Sequence, residues 1–444
     1  MKKFITMAVS LILCFNTTIS AFAAIPEGWR EMTEEEIESI SGDFIEPERN
    51  TEKTATDEMY AALYAPVRGD IDTIPDVDIA EDYLGGNYLN YSVERYINPR
   101  YVNIDRLYNC TDVLMYTGHG NYDRVVISPS AESDKTDDNC TGVYMGSKSI
   151  VDKTYNAKLV GILKRNMSAC KFVLFACCEA AKTNSNITKS VVENGAKSAI
   201  GWKVKVGSPD LHKWERRFFE NVSSRGSTIY NAAKEANTLN GFAFREDIIQ
   251  NVFYGDKDLK LSNNKSRSTE ETTKNGLIQI DKNLNIDCSN KNITDLTNYL
   301  EENVEGFDSN LFKVKVIHNS IPGENYYTIL YGMEIGEFQT PYEVIVFVED
   351  DNIEYSATFD KSDIENLMIT PIAFEEDTSL ESKIEAAKKE ARKEVPDDVI
   401  VEEQIVKKVL NEDLVPMLFV KTSCIDEYGG VFVLYYECSL DEKQ

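Results

Sequence analysis

The chain has 444 residues, 42% of them hydrophobic, and a formal net charge of −28 at pH 7. That hydrophobic content is enough for packed cores, and the length predicts two or three domains. Because so acidic a chain repels phosphate backbones and anionic lipid, we expect no nucleic acid and no membrane surface among its partners.

The first 23 residues have the pattern of a signal peptide. Lys2 and Lys3 form a positive start, residues 4–15 form an apolar core too short to span a bilayer, and "AFA" at 21–23 offers a cleavage site. Leu13 before Cys14 is too large for a lipoprotein cleavage site. We therefore expect a secreted product with no integral membrane segment after processing.

Residues 24–59 are interpreted as an N-terminal helix followed by a linker. Thr33 and Glu36 have the spacing of a capping box, in which each side chain satisfies the other residue's amide. The segment is a possible removable pro-segment, and the alternative is a surface helix that precedes the first domain.

Residues 60–262 alternate apolar strands with helices. The strands "DVLMYTG" (112–118) and "KFVLFAC" (171–177) are apolar throughout, and amphipathic helices are predicted near 211–222 and 228–239, the second capped by Ser227. Strands buried on both faces and separated by helices predict an α/β domain with a mostly parallel sheet. In such sheets the chemistry collects at the carboxyl ends of the strands.

A polar linker at 263–276 separates this domain from an α+β region at 277–444. That region reads as two similar units, at about 277–372 and 373–444, each a helix followed by antiparallel strands. The last two strands are joined by "DEYGG", a hairpin signal at 426–430.

The cysteines outside the leader lack the CxxC spacing of metal sites, and the chain has only three histidines, so we expect no zinc site. Adjacent cysteines almost never bridge each other, so Cys177 and Cys178 either pair elsewhere or stay reduced. Connectivity cannot be read from the sequence. The pairings left open are Cys424 with Cys438, and Cys110 with Cys140 or Cys170.

A catalytic cysteine needs a nearby imidazole, because its thiolate is the nucleophile. His119 stands between two glycines just past one apolar strand, and Cys177 ends another strand 58 residues later. Parallel neighbours would bring the two strand ends together as a Cys–His dyad. We expect His119 to be exposed and outside any core, and His212 and His318 to have no catalytic role.

"YTGHGN" followed by "VLFACCEA" resembles the caspase-like (clan CD) cysteine peptidases of the gingipain, clostripain and CHAT type. The likeness extends over about 90–261, through "NGAKSAIGWKVKV", "FFENVSSRGSTIYNAAKEA" and "VFYGDKDLKL". It implies a caspase-like sheet flanked by helices, with His119 as general base or imidazolium partner and Cys177 as nucleophile. It also implies an oxyanion hole from the amides of Gly120 and Cys177, and no third residue, metal or cofactor.

The resemblance implies a protein or peptide substrate read by a pocket after the nucleophile. The pocket candidates are Trp202, Asp210 and Glu179, and an acidic Asp210 would favour cleavage after a basic residue. The C-terminal region loosely resembles PepSY and propeptide-type modules, so either it or the N-terminal segment is a possible intramolecular inhibitor. The expected function is a secreted cysteine endopeptidase. The alternative, suggested by the extra Cys178, is an inactive caspase-fold surface or binding protein.

Overall fold

The structure is a computed structural model, and it describes most of the chain. The described residues are 25, 27–36, 59–66, 71–85, 88–97, 111–127, 141–152, 158–162, 166–239, 241–261, 277–319, 326–350, 352–369, 377–397, 399–411, 413–426 and 429–440. The predicted signal peptide, the linker at 263–276, Cys110 and Cys140 lie outside them. The fold is mixed α/β.

A six-stranded sheet forms the centre of the α/β domain. Its strands are β2 (Tyr60–Ala65), β3 (Ser92–Ile97), β4 (Val113–Gly118), β10 (Phe172–Cys177), β11 (Ser198–Trp202) and β12 (Asn251–Gly255). Their order is β12-β11-β10-β4-β2-β3, and every neighbouring pair is parallel except β11 with β12. The helices are α1 (Ile74–Leu84), α2 (Ile187–Glu193), α3 (Ser208–Ser223), α4 (Ile229–Ala236) and α5 (Arg245–Ile248).

Helices cover both faces of this sheet, which explains its uninterrupted apolar strands. Along β10, Phe172 and Leu174 pack into the core that contains residues of α1, α3 and α4, whereas Val173 and Phe175 pack into the core on the α2 side. Successive side chains of a strand point to opposite faces. Every position of β10 is therefore buried.

A second, larger sheet begins with the N-terminal segment and an insertion after β4. Its first strands are β1 (Trp29–Glu31), β5 (Gly120–Asn121), β6 (Arg124–Ile127), β7 (Thr141–Tyr144), β8 (Ile150–Asp152) and β9 (Lys158–Gly161). The described N-terminal segment forms β1 on β8, and Trp29 packs there against Tyr144 and Leu159. The predicted capping box forms: the Glu36 amide donates to Thr33 Oγ1 over 3.2 Å, and the Thr33 amide to Glu36 Oε2 over 2.7 Å.

The same sheet continues through the C-terminal region. Its remaining strands are β13 (Ile278–Gln279), β14 (Phe312–His318), β15 (Tyr326–Ile335), β16 (Phe338–Glu349), β17 (Asn352–Ala357), β18 (Ile400–Leu410), β19 (Pro416–Ile425) and β20 (Val431–Ser439). The helices of this region are α6 (Thr294–Asn303), α7 (Lys361–Ile369) and α8 (Asp377–Lys393). The sheet order is β1-β8-β9-β7-β6-β5-β20-β19-β18-β16-β15-β14, with β17 on β16 and β13 on β17. A pairing of Gly120 with Val431 joins the two parts.

The C-terminal region shares a core with the α/β domain. Leu330, Ile345 and Phe347 belong to the same hydrophobic cluster as α3 and α4. Arg245 of α5 and Glu343 of β16 form an ion pair of 2.9 Å, and both side chains are at most 3% exposed. The two regions are therefore packed as one body at this contact.

One sequence expectation changes in detail. The side chain that caps α4 is Thr228, which accepts from the Asn231 amide over 3.1 Å, and not the predicted Ser227. No helix in the described part of the chain is long and apolar enough to cross a membrane.

Candidate active site

The site is built where β4 and β10 end side by side. Their parallel register sets Cys177 opposite Gly118, so His119 directly follows the residue next to the thiol. Cys177 Sγ also lies against Gly120, where an added Cβ would stand 2.5 Å from the sulfur. The structure therefore brings His119, Gly120 and Cys177 together, and a side chain at 120 would displace the sulfur.

The two adjacent cysteines point in opposite directions, as successive strand residues do. Cys177 packs with the α2-side core. Cys178 packs with Val431 and Val433 of β20, and its Sγ lies 3.4 Å from the carbonyl oxygen of Val206. Cys177 is thus the thiol beside Gly120, and Cys178 serves as an apolar contact for β20.

His119 is fully buried, which corrects the expectation of an exposed strand end that fills no core. Its Nδ1 lies 2.8 Å from Asp426 Oδ2, and its ring stacks on Phe432 with the centroids 4.1 Å apart. The physical reason is long-range: the C-terminal sheet carries the β19–β20 hairpin across the end of β4. Cys177 is likewise only 2% exposed.

The turn of that hairpin is held around Asp426. The Asp426 amide donates to the Gly430 carbonyl over 2.9 Å, and the Gly430 amide donates to Asp426 Oδ1 over 2.7 Å. A Cβ on Gly430 would stand 2.8 Å from Asp426 Oδ2 and 2.9 Å from the Cβ of His119. Sequence reasoning missed Asp426 as a site residue, because the aspartate that opens "DEYGG" has the pattern of an ordinary turn residue.

In this covered state the thiol is not activated. Burial raises the pKa of Cys177 well above its usual value, and Cys178 raises it further. Burial also raises the pKa of Cys178 to about 12. Since the thiolate is the nucleophile, Cys177 would have to be rehydrated, or paired with an imidazolium, before it could attack.

The predicted pocket residues lie near the strand ends, but two of them have structural contacts. Trp202 is fully buried, donates its indole N–H to the Ile248 carbonyl over 2.8 Å and packs edge-on against Trp214. Asp210 is buried and accepts the amides of Ala243 and Phe244 over 3.0 and 2.8 Å. These contacts give Trp202 a core role and Asp210 a loop-fixing role, and whether either residue also lines a substrate pocket stays a prediction.

Glu179, the third pocket candidate, follows Cys178 with a φ of 58°. Its carboxylate pairs with Lys182 at 2.8 Å, and its amide donates to the Val204 carbonyl over 3.0 Å. These contacts tie the turn after β10 to the segment after β11. Whether its carboxylate reads a substrate stays a prediction.

The cysteine pairings left open by the sequence can be followed in part. In the β19–β20 ladder Cys424 stands opposite Phe432, whereas Cys438 stands opposite Leu418. This register holds Cys424 and Cys438 apart, and within the described residues they are not joined by a disulfide. The proposed partners Cys110 and Cys140 lie outside the described residues.

A buried carboxylate network holds the end of β4 from the other face of the sheet. Asp76 of α1 accepts a hydrogen bond from the Thr117 hydroxyl and pairs with His212 Nε2 at 2.7 Å. Glu215 of α3 is fully buried beside it. Burial raises the pKa of Glu215 well above its usual value, and the charge of Asp76 raises it further. His212, for which the sequence predicted no catalytic role, is part of this network.

We expect Glu215→Gln to make stability less sensitive to pH. The folded chain keeps a proton on Glu215 that the unfolded chain releases above its usual pKa of 4.5. Stability therefore falls as pH rises from that value toward the raised pKa of the folded state. Thermal unfolding at pH 5 to 8 should show the Tm of the variant exceeding that of wild type by a margin that grows with pH. Glu220→Gln, on the same helix but partly exposed, is the control, and an equal margin at every pH would contradict the assignment.

No protein-family model and no curated protein matches the chain. Among solved structures, the C-terminal domain of YpeB from Bacillus megaterium matches with a TM-score of 0.21 and 12% identity, over 37% of this chain and 72% of that one. A likeness at that TM-score carries no inference about fold or function.

Proposed function

We propose that the protein is a secreted cysteine endopeptidase with a caspase-like α/β domain and a Cys177–His119 dyad. The observation that carries the proposal is the register of β4 and β10, which sets Cys177 beside Gly118 and its sulfur against Gly120. Apolar strands with a His and a Cys at adjacent carboxyl ends have the arrangement that nucleophilic catalysis requires. The predicted signal peptide supports an extracellular location.

In the proposed reaction His119 takes the proton of Cys177, and the thiolate attacks the carbonyl carbon of the scissile peptide bond. The amides of Gly120 and Cys177 stabilise the oxyanion that forms. The imidazolium of His119 then protonates the leaving amine, and water hydrolyses the remaining thioester. The substrate is a protein or peptide. Asp210 accepts hydrogen bonds from backbone amides of its own chain, and a preference for cleavage after basic residues stays a prediction.

The burial of the dyad favours the alternative function, an inactive protein that keeps the fold for binding, unless the covering hairpin moves. His119 is 0% and Cys177 2% exposed, so no substrate reaches them in this conformation. The two functions differ in what happens once the cover is loosened: a peptidase gains turnover, and a binding protein does not.

The test is peptide-library cleavage by the full chain and by Gly430→Ala, whose added Cβ would press against Asp426 and His119. We expect Cys177→Ala to abolish turnover in both backgrounds. Cys178→Ala is the matched control and should retain turnover, because its thiol faces β20. Turnover that survives Cys177→Ala but is lost with Cys178→Ala would refute the assignment of the nucleophile. A complete lack of turnover in both parent proteins would favour the binding protein.

A further inference from the structure

We propose that the β19–β20 hairpin is an intramolecular block, which keeps the Cys177–His119 site closed until the hairpin moves away. The covering element consists of β19, β20 and the described turn residues Asp426, Gly429 and Gly430. The inference rests on the proposed function, since a closed site is regulated only if an open one does chemistry.

The hairpin engages His119 from two directions. Asp426 holds the Nδ1 edge at 2.8 Å, and Phe432 covers the ring face with the centroids 4.1 Å apart and the planes 5° from parallel. An imidazole held at its edge and on its face cannot reorient toward a substrate. Because the side chains of His119 and Asp426 are both 0% exposed, their contact is shielded from competing water.

The hairpin also lies over the proposed oxyanion hole. Val431 is the antiparallel partner of Gly120, the residue whose amide the caspase-like resemblance assigns to oxyanion binding. The Asn121 side chain donates to the Gly429 carbonyl over 3.4 Å. The hairpin backbone thus runs along the edge where a substrate backbone would have to lie.

The cover is anchored beside the site by apolar contacts. Val431 and Val433 pack on Cys178. The ring of Tyr435 lies against Gly207, where an added Cβ would be 2.5 Å away, and packs at 4.9 Å from the ring of Phe244. Cys178, the extra cysteine after the nucleophile, therefore provides a small apolar contact for the hairpin.

A buried cation makes a second anchor. Lys421 of β19 donates to the Lys205 carbonyl over 2.9 Å and pairs with Asp247 at 2.7 Å, with its side chain only 5% exposed. Lys205 also pairs with Glu402 of β18. These contacts hold the C-terminal region against the segment that follows β11, at the edge of the sheet where β4 and β10 also end.

A competing role for Asp426 is that of a positioning residue that orients His119 for catalysis, as the acid of a triad does. The geometry favours the block, because Asp426 belongs to the same hairpin as Val431, which pairs with Gly120, and Phe432, which covers the ring of His119. Asp426 is bonded to Gly430 through both its amide and its carboxylate, so a substrate that displaces the turn also displaces this carboxylate. The two roles predict opposite effects of Asp426→Ala on turnover.

The test is alkylation of the intact chain by iodoacetamide, with each modified cysteine assigned by tandem mass spectrometry. We expect Asp426→Ala and Gly430→Ala to speed modification of Cys177 by a factor on the order of 10 to 100, as for loss of one buried charge-assisted hydrogen bond. Gly332→Ala is the matched control, because a Cβ there has nothing within 4 Å. Cys170, which is 1% exposed in the core on the α2 side, is the internal reference and should not change.

A second measurement needs no variant. In wild type, alkylation of Cys177 should require only local opening of the hairpin, so its rate should rise less steeply with urea than the rate of Cys170. If the alkylation rates of Cys177 and Cys170 depend equally on urea, or rise equally in the variants, both cysteines react through global unfolding. Either result would overturn the proposed block.

The outcomes separate the block from the peptidase. Faster modification of Cys177 with new peptide turnover supports both proposals. Faster modification of Cys177 without any turnover supports the proposal that the hairpin covers the site and refutes the proposal that the protein is a peptidase. Asp426→Ala that lowers turnover below wild type would make Asp426 a positioning residue and overturn the block.

Discussion

Replacement of His119 by alanine is expected to lower the kcat of peptide cleavage by a factor on the order of 100 to 10,000, the usual range for loss of an acid–base partner. The measurement is made in the Gly430→Ala background, where the cover is loosened. Because His119 also anchors Asp426 and Phe432, the same variant should let iodoacetamide reach Cys177 faster. A loss of turnover combined with a gain in thiol accessibility separates the chemical role of His119 from its packing role.

His318→Ala is the control for this experiment. His318 lies at the exposed end of β14, stacked on Tyr327 at 4.6 Å, and its loss should leave kcat near that of the parent. His212→Ala is unsuitable as a control because it would remove the partner of the buried Asp76. Full turnover by His119→Ala would refute the dyad and remove the main support for the caspase-like proposal.

Glu343→Ala is expected to reduce the free energy of unfolding by about 3–5 kcal/mol, because it leaves Arg245 buried and without its counter-charge. Burial raises the pKa of the Glu343 carboxyl although Arg245 lowers it, so the desolvation of these charges is costly. Removing one partner keeps that cost and loses the attraction. Urea unfolding followed by the fluorescence of Trp202 and Trp214, which lie in the α/β core, would measure the loss.

The same experiment tests whether the two regions unfold together. Since Leu330, Ile345 and Phe347 share a core with α3 and α4, we expect a single transition that shifts as a whole. Lys313→Ala, which removes the cation of an exposed pair with Glu334, is the control and should shift nothing measurable. Two separate transitions, with the tryptophan signal unaffected by Glu343→Ala, would contradict the shared core.

Much of the strand pattern could be predicted locally. β4 and β10 start and end within a residue of the predicted runs at 112–118 and 171–177. A strand buried on both faces is apolar at every position, so its limits are visible in the sequence. The strands β5 to β9 of the insertion were not predicted. They have only two to four residues each. A strand this short shows no recognisable alternation of apolar and polar residues.

By itself the sequence determined that, in an α/β domain, His119 follows one apolar strand and Cys177 ends another, because a strand buried on both faces is apolar at every position. Only the tertiary structure decided that β4 and β10 are neighbours, and that Asp426, 307 residues along the chain, meets His119. Local patterns record how a segment is buried and with what period, but not which distant segment buries it. For that reason the sequence could suggest an exposed histidine, whereas the packing of β20 across the strand ends made it a buried one.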